Sequence, residues 1–249
     1  MSILVTRPSP FSDELVRSLR HRGRIAWAFP LIEFMPGTQL NILHEHLQAL
    51  EPGDLVFILS RNVVHYAKII FTRINASWPK ILNYYAMGRN TALAFQNSSG
   101  HIAFWPQKPA NSEILIQLLP LKSIEGKKAL ILRGNGGRNL LKDTLLRYGA
   151  QVELIECYQR CKKNYHSIEE GRRWRIKGIN TLVVTSGEML KQLYSLFSDQ
   201  DREEWLLQCN LIIVSERLEI LAKNLGWTNI HISSGADNKS LLNKIINCT

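Results

Sequence analysis

The sequence contains two similar halves, and this internal repeat constrains the fold more than any other feature. Residues 3–7 align with residues 129–133, and residues 55–60 align with residues 181–186, in both cases at an offset of 126 positions. Each aligned segment reads as a buried strand followed by a helix. A duplicated strand–helix unit predicts two similar lobes, with a ligand site in the cleft between them.

The order of the repeat predicts a discontinuous lobe. Short apolar runs alternate with amphipathic stretches, which is typical of a parallel sheet with helices on both faces. A two-stranded sheet does not stand alone, so residues 1–35 must join later strands. We therefore predict one lobe from residues 1–35 plus 163–249 and another from residues 36–162. The crossovers near 30–37 and 156–163 would form a two-stranded hinge. A sequential split near residue 125 is the alternative.

The net charge of +10 is the strongest compositional indication of a partner. Such an excess attracts anions, including nucleic acids, acidic lipids and polycarboxylates, although it can also serve solubility alone. The basic residues are scattered, with no run of five or more. Scattered charge argues against a nucleic-acid-binding module, which needs a continuous basic stripe.

No motif for a membrane span, a metal or a nucleotide cofactor is found. No apolar run approaches the ~18 residues of a spanning helix, and no signal region opens the chain, so a cytoplasmic protein is expected. The four cysteines lack zinc or redox spacing, and the seven histidines form no metal set. After Gly134 and Gly136, Asn139 occupies the third position of a dinucleotide fingerprint, and no Walker lysine is present. We expect no metal and no nucleotide cofactor.

The residues at the ends of the predicted strands are the candidate ligand-binding residues. In open α/β sheets, ligands bind beyond the carboxyl ends of the strands. Those positions are rich in hydroxyls, glycine and arginine and poor in carboxylates, which predicts a site for a large anion. The candidates are Arg7, Ser60, Gly88, Thr91, Arg133, Gly134, Thr185, Ser186, Ser215 and Arg217. For each hydroxyl or glycine, an ordinary helix cap is the alternative, and for each arginine, a structural bond to a loop carbonyl.

An ordered set of short motifs resembles the uroporphyrinogen-III synthase family, in particular its enterobacterial form. The motifs are residues 4–8, 30–33, 60–64, 88–93, 132–138, 156–160 and 184–188. Each motif is weakly specific, but their order spans essentially the whole chain. The resemblance implies two similar doubly wound, flavodoxin-like α/β lobes joined by a two-stranded ladder, in a monomer.

The resemblance also implies an activity. The family cyclises hydroxymethylbilane, a linear tetrapyrrole with eight carboxylates, inverts its ring D and releases water, without a metal or organic cofactor. The implied route passes through an azafulvene and a spiro intermediate. Tyr158 matches the family's tyrosine at the ladder and is the candidate catalytic residue, assisting departure of the hydroxyl group. Residues 215–217 depart from the family pattern, so Arg217 is either a carboxylate clamp or part of a structural loop.

A rival reading is a two-lobed binding protein that closes on an anion without chemistry. Composition and topology are compatible with it as well as with an enzyme. The isomer of the cyclic product discriminates between them, because hydroxymethylbilane closes spontaneously to the I isomer and enzymatically to the III isomer.

Overall fold

The computed structural model describes residues 1–107, 111–119 and 121–248. The chain divides into two compact units, which we call the first unit and the second unit. The first unit comprises Met1–Glu33 and Cys161–Thr249, and the second unit comprises Phe34–Arg160. The chain therefore leaves the first unit once and returns to it once.

The strands are short apolar runs, and most are buried. In chain order they are β1 (Ser2–Val5), β2 (Ile25–Ala28), β3 (Ile32–Pro36), β4 (Leu55–Ile58), β5 (Asn83–Ala86), β6 (Lys128–Gly134), β7 (Gln151–Lys162), β8 (Thr181–Val183), β9 (Asn210–Ile213) and β10 (Ile230–Ile232).

The helices lie between the strands along the chain, and all except α9 bury apolar residues on one face. They are α1 (Phe11–Arg20), α2 (Leu43–Gln48), α3 (Arg61–Arg73), α4 (Arg89–Ser99), α5 (Ser112–Gln117), α6 (Leu140–Arg147), α7 (Ser167–Ile176), α8 (Gly187–Leu196), α9 (Asp199–Glu204), α10 (Glu216–Asn224) and α11 (Asn238–Asn247). Single turns of 3-10 helix cover Leu40–Ile42, Leu121–Ser123 and Leu206–Gln208.

The first unit contains a parallel sheet in the order β10-β9-β8-β1-β2. Counted along this unit, the order is 2-1-3-4-5, that of flavodoxin-like folds. Successive side chains of a strand point to opposite faces, so Leu4 packs against the helices α7, α8 and α10, whereas Ile3 and Val5 pack against α1 and α11. Both faces of the sheet are therefore covered.

The sheet of the second unit has the order β3-β7-β6-β4-β5, in which β7-β6-β4-β5 corresponds through the repeat to β2-β1-β8-β9 of the first sheet and β3 is added at the edge. Val56 and Ile58 pack on α2, α3 and α4, and Leu55 and Phe57 pack on the opposite face, against α5 and α6. The strands β4 to β7 are parallel. The prediction of an α/β protein with two similar doubly wound parallel sheets is confirmed.

The edge strand β3 lies beside β7 at very close range. The Gly37 N–H donates to the Cys157 carbonyl at 3.0 Å, and the Lys163 N–H donates to the Leu31 carbonyl at 2.8 Å, so the two segments run antiparallel. A Cβ atom at Gly37 would lie 2.0 Å from the Glu156 carbonyl oxygen, so only glycine fits there.

At the end of the apolar segment 102–104, the backbone forms a single parallel bridge, between Tyr85 and Phe104. The backbone of Phe104 bonds to the Tyr84 carbonyl and to the Ala86 N–H. Pro106 follows two residues later and has no N–H to continue the ladder, which limits the strand.

Candidate functional site

A pocket of about 380 Å³ lies in the second unit, at the carboxyl ends of its parallel strands. From β6, β7 and the loop after β6 it is lined by Arg133, Gly134, Gly136, Gly137, Arg138 and Tyr158. Leu59 and Met87, which follow β4 and β5, complete the wall together with Asn111 and Ser112 at the start of α5. Three residues predicted from the sequence, Arg133, Gly134 and Tyr158, are thus brought together.

The ring of Tyr158 lies directly against the backbone of Gly134. A Cβ atom built on Gly134 would stand 2.5 Å from Cζ of Tyr158 and 2.6 Å from its Cε2. Real Cβ atoms do not approach so closely, so any side chain at position 134 would displace the ring. Gly134 therefore creates the space that Tyr158 occupies, and the ligand contact predicted for it stays a prediction.

A β-bulge precedes this contact and determines which way Tyr158 faces. Along β6 and β7, Arg133 pairs with Glu156, whereas Gly134 pairs with Tyr158, so Cys157 is the extra residue of the bulge. Bulges redirect the side chains that follow them. Burial raises the pKa of the Cys157 thiol to about 12, with a smaller contribution from the Glu156 charge. Because the thiolate is the reactive form, Cys157 is a packing residue and no nucleophile.

Two aromatic rings restrain Tyr158 from other directions. The Phe34 ring meets it edge-on at a centroid distance of 5.7 Å, and the Tyr66 ring is nearly parallel to it, at 6.3 Å and 9°. Aromatic pairs at such distances add stabilisation beyond their buried area. The phenol is therefore held between fixed surfaces while its ring borders the pocket.

Arg133 folds back into its own loop. Its Nε donates to the Gly134 carbonyl at 3.3 Å, one Nη donates to Asn139 Oδ1 at 3.3 Å, and the other Nη donates to the Gly136 carbonyl. A Cβ atom at Gly137 would lie 2.9 Å from that last nitrogen. The guanidinium thus holds the loop after β6 in shape, and Nε and both Nη atoms each donate one hydrogen bond within that loop.

Asn135 fastens the same loop to β7. Its side chain bonds to the backbone of Arg160 twice, accepting from the N–H at 2.6 Å and donating to the carbonyl at 3.4 Å. Its own N–H donates to the Tyr158 carbonyl at 3.1 Å. The side-chain amide thus makes the two bonds to Arg160 that the backbone of a paired strand residue would make, and it extends the β6–β7 pairing past the bulge. Loop and tyrosine are consequently positioned by one set of bonds.

The described lining of the pocket includes two arginines and no carboxylate. Arg138 pairs at 3.0 Å with Glu113, in an ion pair whose side chains are 74% and 47% exposed. Exposed pairs of this kind contribute only about 0–1 kcal/mol, so an incoming anion can replace Glu113 at low cost.

The other candidates of the second unit serve as helix starts. Ser60 caps α3, its hydroxyl accepting the Val63 N–H at 3.4 Å, and Gly88 precedes the first turn of α4. Thr91 is buried in that turn, and its N–H donates to the Gly88 carbonyl at 3.0 Å. Among the described lining residues of the pocket, none of these three appears.

The candidates of the first unit lie at one edge of its sheet, because they follow the adjacent strands β1, β8 and β9. The Ser186 hydroxyl caps α8 by accepting the Met189 N–H at 3.2 Å, and the Ser215 hydroxyl caps α10 by accepting the Leu218 N–H at 3.4 Å. Thr185 is half-buried before the first cap, and Arg217 is exposed in the first turn after the second.

Arg7, two residues after the end of β1, is equivalent in the repeat to Arg133 of β6, but its partners are distant in sequence. Its Nη1 donates to Asn238 Oδ1 at the start of α11, and its guanidinium lies 5.3 Å from the centroid of the Phe11 ring. Asn238 in turn donates to the Phe11 carbonyl and to Glu14. Arg7 thereby ties β1 to α1 and α11.

Sequence reasoning missed the apolar and aromatic part of this site. Leu59 and Met87 directly follow β4 and β5, so their place beside a strand-end site could have been predicted from the strand positions. Only their polar neighbours, Ser60 and Gly88, were predicted. Phe34 and Tyr66 carried no signal, because their contact with Tyr158 depends on the bulge. Asn111 also carried none, since only the fold brings α5 beside the loop after β6.

No group of three or more histidine, cysteine, aspartate or glutamate side chains within residues 1–107, 111–119 and 121–248 could hold a metal ion. No helix of that part of the chain is long and apolar enough to cross a membrane.

The chain is similar in sequence to known enzymes over almost its full length. A family model described as uroporphyrinogen-III synthase HemD matches residues 13–243. The uroporphyrinogen-III synthase of Escherichia coli is 52% identical over 242 residues, covering 97% of this chain and 98% of that protein. The enzyme of the same name from Salmonella typhimurium is 51% identical with the same coverage. That of Proteus mirabilis is 43% identical over 78% of this chain and 98% of its own length.

Solved structures match the fold. A crystal structure of uroporphyrinogen III synthase from Thermus thermophilus superposes with a TM-score of 0.63, at 13% identity, covering 99% of this chain and 98% of the other. A crystal structure of the Helicobacter pylori protein gives a TM-score of 0.60, at 16% identity, covering 100% and 99%. Because the sequence identities are only 13% and 16%, these two structures show similarity of fold alone.

The fold defines a class of protein: an α/β protein with two parallel sheets and, in its second unit, a pocket at the carboxyl ends of the strands, where such folds bind small molecules. The sequence relatives narrow this class to one family. The chain belongs to the uroporphyrinogen-III synthase family, the cyclising lyases of tetrapyrrole biosynthesis.

Proposed function

We propose that the chain converts hydroxymethylbilane into uroporphyrinogen III, closing the ring with ring D inverted and releasing water. The observation that carries the proposal is the pocket of the second unit, where a restrained tyrosine borders an arginine- and glycine-rich loop without a carboxylate in the described lining. Membership of the family supplies the reaction class.

Tyr158 is proposed to assist the first step. A phenol O–H can donate a hydrogen bond or a proton to the departing hydroxyl group, which leaves an azafulvene. Ring D then attacks through its substituted carbon to give a spiro intermediate, which fragments and recloses with that ring turned round. The fixed position of Tyr158 between Gly134, Phe34 and Tyr66 supports the role, since proton donors must be held in place.

The carboxylate arms of the substrate are proposed to bind at the strand ends of both units. In the second unit, the donors would come from the loop after β6, from Ser60 and from the backbone N–H groups of the first turn of α4, near Gly88 and Thr91. In the first unit they would come from Arg7, Thr185, Ser186, Ser215 and Arg217. The serine hydroxyls already cap their helices, so the remaining first-turn N–H groups are the proposed donors there.

We further propose that the two units are the two lobes of the enzyme, with the chain crossovers as its hinge. The enzyme would work as a cytoplasmic monomer, without metal or cofactor. Its excess positive charge would serve the polycarboxylate substrate and not nucleic acid, because the basic residues are scattered along the chain.

The test of the activity is the product isomer. Purified protein is incubated with hydroxymethylbilane, and the porphyrins are oxidised and separated into the I and III isomers. The proposal expects the III isomer to dominate. A binding protein without chemistry would leave only the spontaneous I isomer, and that result would reject the proposal.

Replacing Tyr158 tests its role. Tyr158→Phe keeps the ring and its packing but removes the hydroxyl group, so turnover should fall by about a hundredfold without vanishing. Tyr148→Phe is a suitable control, because that ring is 43% exposed and lies outside the pocket lining. Turnover equal to that of the control would remove Tyr158 from the mechanism.

A further inference from the structure

A second pocket of about 380 Å³ lies in the first unit, and no residue predicted from the sequence lines it. Its lining includes Lys162 and Lys163 at the end of β7, and Glu188, Lys191, Gln192 and Ser195 on α8. The residues of α8 recur at helical spacing, so they form one face of that helix. The pocket is therefore a groove between this face and the segment after β7.

The groove stands at the carboxyl edge of the first sheet. The Lys163 N–H donates to the Leu31 carbonyl at 2.8 Å, and the Leu31 N–H donates to the carbonyl of Thr6, the residue after β1, at 3.1 Å. The segment that carries Lys163 thus pairs with the continuation of β2, which itself runs beside the end of β1. Ligands of open α/β sheets bind at this edge, between strands whose connections diverge, as those of β1 and β8 do.

The wall of the groove is ordered by one side chain. Gln192 Nε2 donates to the Leu31 carbonyl at 2.7 Å and to the Lys163 carbonyl at 3.2 Å. Tyr165 adds a second tie, since its hydroxyl donates to the Pro30 carbonyl at 2.9 Å and its ring lies 4.2 Å from that of Phe29. A pre-ordered wall lowers the entropic cost of binding.

The groove is positively charged. Three lysines face one glutamate, an excess of two positive charges. In the described part of the chain, none of the ion pairs involves Lys162, Lys163 or Lys191. In the second unit, by contrast, Arg138 pairs with Glu113 and Arg133 bonds to its own loop. Lys163 Nζ lies 5.8 Å from the centroid of the Tyr165 ring, which leaves its charge open to an anion, so the lysines of this groove are better placed to take one than the two arginines.

We propose that Lys162, Lys163 and Lys191 form a carboxylate-binding subsite for an arm of the substrate. This inference rests on the proposed function, and it assigns the groove to binding and not to chemistry. Ammonium groups hold a carboxylate as point charges on flexible stems, so they suit an arm whose orientation is not fixed by the reaction. Removing them should weaken substrate binding and leave the chemical step unchanged.

The kinetic test compares Lys191→Gln and the triple Lys162→Gln/Lys163→Gln/Lys191→Gln variant with Lys80→Gln. Lys80 is an exposed lysine shortly before β5, at the amino edge of the second sheet, and it controls for loss of charge. Lys191→Gln should raise KM for hydroxymethylbilane about 1.5- to 5-fold, and the triple variant more than tenfold. The value of kcat should stay within about twofold, and the III isomer should still dominate. A KM equal to that of Lys80→Gln in both variants would overturn the proposal.

A binding measurement separates this inference from the proposed activity. Uroporphyrin III, a stable octacarboxylate, is titrated into each variant and followed by its fluorescence; the lysine variants should bind it more weakly, by similar factors. If the unaltered protein forms no III isomer, the proposed function fails while this titration still tests the groove. Should the protein be active while both lysine variants retain affinity and KM, only the subsite fails. Inorganic phosphate that alters kcat without competing with substrate would identify an independent anion site instead, and would also overturn it.

Discussion

Arg7 and Arg133 occupy equivalent positions of the two repeats, but their side chains bond to different kinds of partner. Arg7 reaches outward from β1, to Asn238 on α11 and to the Phe11 ring on α1. Arg133 turns inward and bonds to the Gly136 carbonyl and Asn139 of its own loop. The first arginine joins elements of its unit, whereas the second builds a loop beside a pocket.

The residues that follow each arginine explain the difference. In the second unit Gly136 and Gly137 adopt positive φ angles of 81° and 102°, which lets the loop curl around the guanidinium. In the first unit Pro8 follows Arg7 directly, and its fixed φ prevents such a curl. The repeat therefore preserves the backbone position of a strand end, and the next few residues decide its chemistry.

The largest expected effect comes from removing the space beneath Tyr158. Gly134→Ala places a Cβ atom within 2.5 Å of the ring, so the ring must move. Turnover should fall about a hundredfold, as for loss of the phenol itself, with a stability cost of about 1–3 kcal/mol from overpacking. Turnover assays and urea unfolding measure the two effects.

A double substitution shows whether Gly134 acts through Tyr158. In a Tyr158→Phe background, Gly134→Ala should lower turnover by less than about threefold, because the hydroxyl group is already absent. Gly178→Ala, in the first unit, is the control for destabilisation away from the pocket, since its φ of +63° strains an alanine while no atom lies within 4 Å of the new Cβ. Fully additive losses would instead indicate that Gly134 contacts the substrate itself.

An intermediate effect is expected from exchanging each arginine for lysine. Arg133→Lys cannot reproduce the planar fork, so the loop should loosen and kcat/KM should fall about tenfold. Arg7→Lys should chiefly lower the free energy of unfolding, by about 1 kcal/mol, through its contacts with Asn238 and Phe11. Its kcat/KM should change by no more than about threefold. Both quantities are measured for both variants, and the reverse ranking would contradict the contrast between the two units.

The smallest expected effect is on the pH dependence of stability, and it comes from one carboxylate in each unit. Hydrogen bonding by Gln159, with help from Thr38, lowers the pKa of Glu156 in the second unit. Bonds from Ser240 lower the pKa of Asp237, which caps α11 in the first unit. A folded-state pKa below the unfolded value gives stability that is present above about pH 5 and lost as the pH falls through the folded value.

Glu156→Gln and Asp237→Asn should therefore flatten the dependence of stability on pH between about 5 and 3. Both replacements keep a hydrogen-bond acceptor, and asparagine remains a good helix cap, so stability near neutral pH should change little. Urea unfolding at a series of pH values measures this. A slope as steep as that of the unaltered protein would show that other groups control its acid sensitivity.

The sequence predicted the sheets better than the site. Residues 3–7 and 129–133 align and carry apolar runs of strand length, so parallel sheets and strand-end loops could be predicted from them. The bulge at Cys157 could not, because nothing in residues 151–162 marks the extra residue that turns Tyr158 toward Gly134. The sequence identified Tyr158 only through the family resemblance.

Partners that are distant along the chain were also beyond prediction. Asn238 lies 231 residues from Arg7, and no pattern in either segment indicates that they meet. Ser60, Ser186 and Ser215 illustrate the opposite difficulty, since a hydroxyl group at a strand end predicts both a helix cap and a ligand contact. The structure shows the caps, and the ligand contacts stay predictions.

The discontinuity of the first unit has a consequence for the order in which the protein is made. Thr6 bonds to Val183, 177 residues later, so the first sheet cannot assemble until that residue has been translated. At roughly 5–20 residues per second, the amino-terminal strands wait about 10–35 s on the ribosome. During this interval the whole second unit, Phe34–Arg160, is translated. The nascent β1 and β2, with their apolar faces uncovered, are therefore the segments for which chaperone binding matters most during synthesis.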